Sequence, residues 1–173
     1  QKGRSQPQKP HLGPTKPPWE YTDAEWERLL AINLDSAFYF IRAVMPGMLE
    51  RRGGAIVNVS SQFGLVGCLA SPAYCASKAG LIGLTRAMAI DHTEEGIRVN
   101  CVCPGPVDTP MLAWTDATPE LTARERTRTQ GRNLAARSGR PEEIAATIAF
   151  LLSDDVGFMS GSIVAVDGAW TAG

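Results

Sequence analysis

The sequence predicts an α/β protein built on part of a doubly wound parallel sheet, with three strands and flanking helices. Three short apolar segments have the length and β-branched content of buried strands: Ala55–Val59, Ile97–Val102 and Ser162–Val166. Longer helical patterns lie between them, and strands that alternate with helices form parallel sheets. The chain has 173 residues, 44% of them hydrophobic, which is sufficient for one domain with a core.

The first helical segment begins at a capping box, Thr22-Asp23-Ala24-Glu25. In this motif the threonine and glutamate side chains pair with each other's backbone N–H groups. Apolar residues follow at helical spacing, and the segment is predicted to run, with a bend, to about Glu50. Pro46 predicts a kink or a break inside it, because proline lacks the N–H that an inner helical turn needs.

Two further helices are predicted downstream. One begins at Pro72 and ends near His92. The other covers Glu142–Leu152 and is opened by Pro141, since proline is favoured in the first turn of a helix. Between the second strand and this last helix, residues 109–140 are polar and are predicted to be helical in part.

The predicted sheet is small for its class. Parallel sheets bury both faces and seldom have only three strands. The first strand is therefore expected to lack a neighbour and to leave an apolar edge. On this interpretation the chain is the later part of a larger fold.

The first eighteen residues differ in composition from the rest. They contain five of the twelve prolines and four cationic side chains, and Leu12 is their only large apolar residue. Such a segment buries too little surface to offset the entropy cost of ordering it. We predict a disordered tail over residues 1–18 and a domain over residues 19–173. Two Pro-x-x-Pro pairs, at Pro7–Pro10 and Pro14–Pro17, leave polyproline docking motifs as an alternative.

Charge and hydropathy exclude several classes of partner. The formal net charge is -1, which gives no reason to expect nucleic acid or an acidic membrane. We find no apolar run near the roughly 20 residues that a membrane span needs and no signal peptide. His11 and His92 lack a nearby cluster of cysteines or carboxylates, so no metal is predicted. These observations predict a cytoplasmic protein.

Four cysteines are present, without C-x-x-C spacing: Cys68, Cys75, Cys101 and Cys103. Cys101 and Cys103 stand two residues apart in a strand, so their side chains are expected on the same face. Buried free thiols in a reducing cytosol are favoured over a disulfide or a zinc site.

Tyr74 and Lys78 are the most informative residues for function. Residues four apart in a helix stand one turn apart on the same face, and Ser61 lies thirteen residues before Tyr74. A free tyrosine keeps its proton to about pH 10. A neighbouring ammonium is expected to pull that pKa toward neutrality, so that the phenol exchanges a proton with a carbonyl or alcohol oxygen. Without the surrounding pattern, this would be an ordinary exposed pair on a helix.

Three elements occur in a fixed order: a strand ending in Ser60-Ser61, then Tyr74-x-x-x-Lys78, then Pro104-Gly105-x-Val107-x-Thr109. In this order and at these spacings the sequence closely resembles the short-chain dehydrogenase/reductase family, from about Gly13 to Gly173. The resemblance implies the last three strands and flanking helices of a Rossmann-like fold. It also implies an NAD(P)-dependent oxidoreductase that interconverts a secondary alcohol and a ketone by hydride transfer.

The resemblance implies roles for individual residues. Tyr74 is the catalytic acid/base, Lys78 its electrostatic partner and ribose ligand, and Ser61 the hydroxyl that orients the substrate oxygen. Asn33 resembles the family asparagine that holds a water of the proton relay; as a plain helix-kink residue it would instead satisfy an opened backbone carbonyl. The nicotinamide of NAD or NADP is expected against four residues after the second strand: Pro104, Gly105, Val107 and Thr109.

Other parts of the family pattern are shifted or missing. Residues from Met111 to about Arg137 correspond to the variable substrate lid. Val166-Asp167-Gly168 matches the last strand, with Ala169 where the family usually has a second glycine. No G-x-G-x-x-G or G-x-x-x-G-x-G occurs in the 173 residues, so the glycine-rich turn that grips a dinucleotide is absent. The residues that choose between NAD and NADP are absent with it.

Three hypotheses about function follow. The chain represents an alcohol dehydrogenase or ketoreductase whose front half lies outside this sequence. Alternatively, it is a truncated, catalytically silent family member that pairs with another subunit, or a non-enzymatic interaction module. The intact Ser-Tyr-Lys set favours the first hypothesis, and the missing phosphate turn favours the other two for the isolated chain.

One helix face predicts self-association. Its members are small residues on the Tyr74 helix: Ala76, Ala79, Gly80 and Gly83. Glycine inside a helix carries a conformational cost, so close helix–helix approach is expected there. In the family this surface helps build the subunit interface. With Phe38, Phe40 and Ile41 it predicts a homo-oligomer, a dimer or tetramer, that acts on a small-molecule alcohol or ketone.

Overall fold

The computed structural model describes residues 15–111 and 134–172. These residues form four α-helices and three strands, joined by short 3-10 turns. In chain order the elements are α1 (Asp23–Leu30), α2 (Ser36–Glu50), β1 (Gly54–Val59), α3 (Pro72–His92), β2 (Ile97–Pro104), α4 (Pro141–Leu152) and β3 (Ile163–Val166).

The three strands form one parallel sheet in the order β1-β2-β3, which confirms the predicted fold class. The register pairs Gly54 with Ile97 and Val59 with Val102, and on the other side Cys101 with Ile163. The sheet therefore brings the carboxyl ends of β1 and β2 side by side, where ligands of open α/β sheets bind.

Alternate residues of β2 face opposite helical layers, because successive side chains of a strand point to opposite faces. Cys101 and Cys103 pack on α3 through Ile82. Val102 packs on α4, against Ile144 and Leu151. The predicted common orientation of Cys101 and Cys103 is confirmed, and both thiols are free and fully buried.

The first helical segment changes helix type well before it reaches Pro46. Thr22 and Glu25 form the expected capping box. A π-helical turn over Ala31–Asp35 then joins α1 to α2. Pro46 neither ends nor breaks α2, which continues to Glu50. Pro46 is exposed, so water can satisfy the carbonyl that the proline ring leaves without its helical partner.

One residue of the predicted tail, Lys16, contacts the domain. Residues 1–14 are outside the described part, but the Lys16 N–H donates to the Ala70 carbonyl at 2.8 Å. The Lys16 ammonium lies 2.6 Å from the Glu25 carboxylate. The sequence analysis missed this attachment because a proline-rich composition reports nothing about contacts with a distant loop.

The prediction of partial helix over residues 109–140 falls mainly on 112–133, outside the described residues. The described part at 134–140 forms turns and one bridge between Val107 and Gly139. The two ends of this long connection are therefore held together beside the sheet.

Within residues 15–111 and 134–172, no strand pairs with the outer edge of β1. A groove of about 420 Å³ runs between this edge and α2. Its lining includes Asn33, Phe40, Val59 and Lys78. The expected apolar edge on the first strand is thus present in the described part of the chain.

The helical run Asp23–Glu50 corrects the expectation that the chain has no apolar segment long enough to span a membrane. By length and composition alone it could cross a membrane. A single such helix is weak evidence, because core helices of soluble proteins pass the same test. That no membrane is involved stays a prediction.

Candidate active site

A cavity of about 410 Å³ opens where β1 and β2 end. The first turn of α3 and the segment after β2 close its sides. All eight residues predicted for catalysis or cofactor binding line this cavity, together with several that were not predicted: Asn33, Val59, Ser60, Ser61, Gln62, Phe63, Tyr74, Lys78, Pro104, Gly105, Pro106, Val107, Thr109, Met111 and Trp170.

Tyr74 lies in the first turn of α3 with 7% of its surface exposed. Burial raises the pKa of its phenol above the ordinary value, and the adjacent Ser61 side chain opposes that shift. The prediction that Lys78 pulls the pKa toward neutrality is therefore wrong for this structure. Desolvation penalises the phenolate more than its neighbours stabilise it.

Lys78 stands one turn after Tyr74 on the same helix, as the spacing predicted. Its ammonium lies 5.7 Å from the centre of the Tyr74 ring and donates to the Val59 carbonyl at 3.1 Å. Burial lowers the pKa of Lys78, and the Cys101 and Cys103 thiols behind it act in the opposite direction. The cation is thus partly desolvated and fixed between α3 and the end of β1.

The two serines at the end of β1 have different neighbours. Ser60 Oγ donates to the Lys78 carbonyl at 2.7 Å, so this hydroxyl ties the strand to α3. Ser61 Oγ accepts from the Phe63 N–H at 3.2 Å and lies beside the Tyr74 phenol. The geometry therefore supports Ser61, rather than Ser60, as the hydroxyl that faces a substrate.

Asn33 lies in the π-helical turn between α1 and α2, a kind of turn often found at functional sites. Its Nδ2 donates to Ser77 Oγ at 3.2 Å. The kink interpretation expected this amide to satisfy a backbone carbonyl, whereas its observed partner is a side chain on α3. Asn33 lines both the cavity and the groove beside β1.

The turn after β2 depends on a glycine. A Cβ atom added to Gly105 would lie 2.7 Å from the Asp167 Cα, so only glycine allows this close approach. The Gly105 N–H donates to the Val166 carbonyl at 3.0 Å, which fixes the turn to the end of β3. Farther on, Thr109 Oγ1 donates to the Val107 carbonyl at 3.4 Å.

Among the cavity residues that sequence reasoning missed are Gln62, Phe63 and Trp170. The Phe63 and Trp170 rings meet edge to face with centroids 6.4 Å apart, and they form an apolar wall. Gln62 was detectable, because it directly follows Ser61 at the same edge of the sheet. Trp170 carries no local signal, since only the tertiary structure brings the end of the chain to Phe63. The predicted lid over 111–137 lies mostly outside the described residues.

The donor set fits one end of a dinucleotide. Lys78 offers a cation, Thr109 a hydroxyl, and Pro104–Val107 a firmly packed turn on the same cavity as Tyr74. By contrast, no helix of the described part follows a strand through a glycine-rich turn, the usual site for a pyrophosphate. The described residues therefore fit the nicotinamide end of a dinucleotide and provide no site for its pyrophosphate.

A parallel α/β sheet with serine, tyrosine and lysine side chains gathered beside the carboxyl ends of its strands defines a protein of the Rossmann-like α/β class. Residues 11–171 match the family model described as enoyl-(acyl carrier protein) reductase. The chain belongs to the short-chain dehydrogenase/reductase family.

Named relatives show what the chain resembles. The 2-(S)-hydroxypropyl-CoM dehydrogenase 3 of Xanthobacter autotrophicus is 43% identical over 86% of this chain. The inactive 2-(S)-hydroxypropyl-CoM dehydrogenase 2 of the same organism is 46% identical over 85% of it. A structure of 4-hydroxyisoleucine dehydrogenase complexed with NADH and succinate superposes with a TM-score of 0.79 at 33% identity, over 93% of this chain.

The chain is shorter than these relatives. It spans 58% and 64% of the lengths of the two Xanthobacter proteins and 65% of the 4-hydroxyisoleucine dehydrogenase chain. Family membership and fold are therefore shown, and the activity of the whole protein is a matter for proposal.

Proposed function

We propose that the protein is an NAD(P)-dependent oxidoreductase that interconverts a secondary alcohol and a ketone. The observation that carries the proposal is the placement of the Ser61 hydroxyl beside the buried Tyr74 phenol, in a cavity that Lys78 also lines. A carbonyl oxygen placed between the two hydroxyls would meet a proton donor and an orienting group, as proton transfer at that oxygen requires.

In this proposal Tyr74 donates the proton to the ketone oxygen during reduction and accepts it back during oxidation. Because burial raises its pKa, the phenol is protonated at neutral pH, which is the state needed to donate. Ser61 orients the substrate oxygen. The Lys78 ammonium, 5.7 Å from the tyrosine ring, stabilises the negative charge that the phenol develops when it gives up its proton.

The cofactor is NAD or NADP, which when bound supplies or accepts the hydride. Lys78 would bind the nicotinamide ribose, and the segment after β2 would hold the nicotinamide through Pro104, Gly105, Val107 and Thr109. Asn33 holds a water that replenishes the tyrosine proton. Its position on both cavities, with the amide tied to the Tyr74 helix, supports that role.

We further propose that residues beyond this sequence provide the phosphate-binding turn. Three observations support this. The sequence contains no glycine-rich nucleotide motif. The relatives are longer than the chain. In the described part, the outer edge of β1 is unpaired.

A second candidate function is a catalytically silent subunit partner. The specific observation in its favour is the missing phosphate turn, and one relative that is 46% identical is named as inactive.

For either function we propose a homo-oligomer. We also propose that the protein is cytoplasmic, because the buried free thiols of Cys101 and Cys103 fit a reducing compartment.

Steady-state assays of the full-length protein with NADH and with NADPH, against a panel of secondary alcohols and ketones, test the proposal. We expect oxidation of at least one reduced cofactor that depends on a ketone. Absence of turnover with every pair, from protein whose folded state is confirmed by circular dichroism, would favour the silent subunit instead.

A further inference from the structure

Ser77 contacts two residues of the active-site cavity from behind the cavity wall. Its side chain is fully buried on α3 and does not line the cavity. Its Oγ donates to the Tyr74 carbonyl at 2.8 Å and accepts from Asn33 Nδ2 at 3.2 Å. A hydroxyl has a single proton. The bond to the Tyr74 carbonyl therefore leaves Ser77 only lone pairs to offer Asn33.

This sequence of bonds determines which end of the Asn33 amide faces α3. An asparagine amide has a donor end, Nδ2, and an acceptor end, Oδ1. Because Ser77 accepts, the donor end points to α3 and Oδ1 points away from it. In the described part of the chain, no group donates to Asn33 Oδ1, and the one enclosed side-chain atom without a partner there is Gln62 Oε1. Asn33 Oδ1 is therefore open to solvent.

An open acceptor at Asn33 complements the donors of Lys78. Both residues line the cavity and the groove beside β1. The Lys78 ammonium has three N–H donors and no acceptor, and it donates to the Val59 carbonyl at 3.1 Å. A water that donates to Asn33 Oδ1 keeps its lone pairs for this ammonium. If Asn33 presented Nδ2 instead, the water would meet two donors, and no acceptor would orient its protons.

We propose that Ser77 is a positioning residue for the reaction, because it holds the Asn33 amide with Oδ1 turned toward the water of the proton relay. Ser77 touches neither substrate nor cofactor, so its effect on the reaction passes through Asn33. This inference rests on the proposed oxidoreductase function.

Thr85 provides a matched control on the same helix. It is fully buried, its Oγ1 donates to the Leu81 carbonyl at 2.8 Å, and it accepts from Asn58 Nδ2 at 2.9 Å. Thr85 thus makes the same two kinds of bond as Ser77, but neither Thr85 nor Asn58 lines the cavity. Thr85→Val removes a buried hydroxyl and leaves the relay residues as they are.

The kinetic test uses the full-length protein with a ketone that it reduces, at a temperature where every variant is folded. Ser77→Ala should lower kcat about tenfold and change KM little, because the water loses its orientation while the cavity lining stays the same. Asn33→Ala should lower kcat at least as much. The double variant should be no slower than Asn33→Ala, and Thr85→Val should keep the kcat of the parent.

Three outcomes would overturn the inference and leave the proposed function standing. The first is a Ser77→Ala enzyme with the kcat of the parent. The second is an equal loss of kcat from Ser77→Ala in the parent and in Asn33→Ala, since Ser77 would then act independently of Asn33. The third is a Thr85→Val enzyme as slow as Ser77→Ala. Absence of turnover by the parent with every ketone would instead count against the function.

Nuclear magnetic resonance of the Asn33 side-chain amide tests the orientation without turnover. Its signal is the one that disappears in Asn33→Ala. In the parent its protons should exchange with solvent slowly, because one of them is bonded to a buried hydroxyl. Ser77→Ala should speed this exchange, whereas Thr85→Val should affect only the amide of Asn58. Exchange in the parent as fast as in Ser77→Ala would mean that Nδ2 does not face Ser77, and the inference would be wrong.

Discussion

The Asn33 amide donates to the Ser77 hydroxyl at 3.2 Å, and this contact joins the π-helical turn to the helix that carries Tyr74. Ser77 Oγ donates in turn to the Tyr74 carbonyl at 2.8 Å. The Ser77 hydroxyl that takes part in both bonds is fully buried. Asn33 and Tyr74, which lie far apart in the sequence and both line the cavity, are thereby linked through Ser77.

This contact leads to a prediction about stability. Ser77→Ala should lower the free energy of unfolding by about 1–3 kcal/mol, because it leaves the Asn33 amide without its partner. Urea denaturation of the parent, Ser77→Ala, Asn33→Ala and the double variant measures the coupling between the two residues. Strictly additive effects would show that the bond contributes nothing to stability.

Tyr74→Phe should abolish carbonyl reduction by the full-length protein. The phenol proton takes part in the reaction, and general acid–base catalysis contributes about 10²–10⁴-fold to the rate. The fold should tolerate the change, since the ring and its packing remain. Steady-state kinetics with cofactor titration checks this, with dinucleotide affinity expected close to that of the parent. Near-native turnover by the variant would remove Tyr74 from its assigned role.

Gly83→Leu should shift the protein toward monomer in light scattering. Gly83 has open space around its Cα, and Ala76 and Ala79 on the same helix are exposed, so this face is available to a second copy. A leucine would overpack a close contact there. An unchanged mass would place the subunit contact elsewhere.

Gly80→Ala is the matched control for that experiment. A Cβ atom at Gly80 would lie 2.8 Å from Leu34 Cδ2 within the same chain. The close helix–helix approach predicted for this face is therefore confirmed at Gly80, as a contact inside the chain. Because this contact lies inside the chain, Gly80→Ala should leave the mass unchanged.

The 173-residue chain by itself should bind neither NADH nor NADPH with useful affinity. Lys78, Thr109 and the Pro104-Gly105 turn offer contacts only for the nicotinamide end, whereas the pyrophosphate needs a helix N-terminus behind a glycine turn. Calorimetric titration of the purified chain with each dinucleotide measures this directly. Micromolar binding to a folded monomer would contradict the prediction.

The free energy of unfolding should depend on pH through the Glu143 carboxylate. Its carboxylate lies 2.7 Å from Arg137 Nη2 and accepts from the Arg140 N–H at 2.8 Å. These contacts lower the pKa of Glu143 from 4.5 to about 2, and the hydrogen bond from Arg137 has the largest effect. Because the folded-state pKa is the lower one, the stabilisation is present above about pH 4.5 and is lost as the pH falls toward 2.

Glu143→Gln should therefore unfold more easily than the parent at pH 6, and the difference should disappear near pH 2. Denaturant titrations at several pH values measure this, with Glu142→Gln as a control that changes the charge of α4 by the same amount. A difference that persists at pH 2 would mean that Glu143 contributes through packing instead.

Local patterns were sufficient for the elements and for gathering most of the candidate residues that line the cavity. The Thr22–Glu25 capping box, the three strands and the prolines that open α3 and α4 act over a few residues, so their signals are present in the sequence. The spacing of Tyr74 and Lys78 placed both on one helix face for the same reason. Of the kink or break predicted at Pro46, the break does not occur, because α2 continues through this exposed residue to Glu50.

What the sequence determined by itself is the order of elements, the parallel sheet and the choice of Ser61, Tyr74 and Lys78 as the candidate set. Only the tertiary structure decided their environment, because burial and distance depend on residues far along the chain. It showed that desolvation raises the pKa of Tyr74. It also gave Asn33 a side-chain partner on α3 and enclosed Gln62 Oε1 without one.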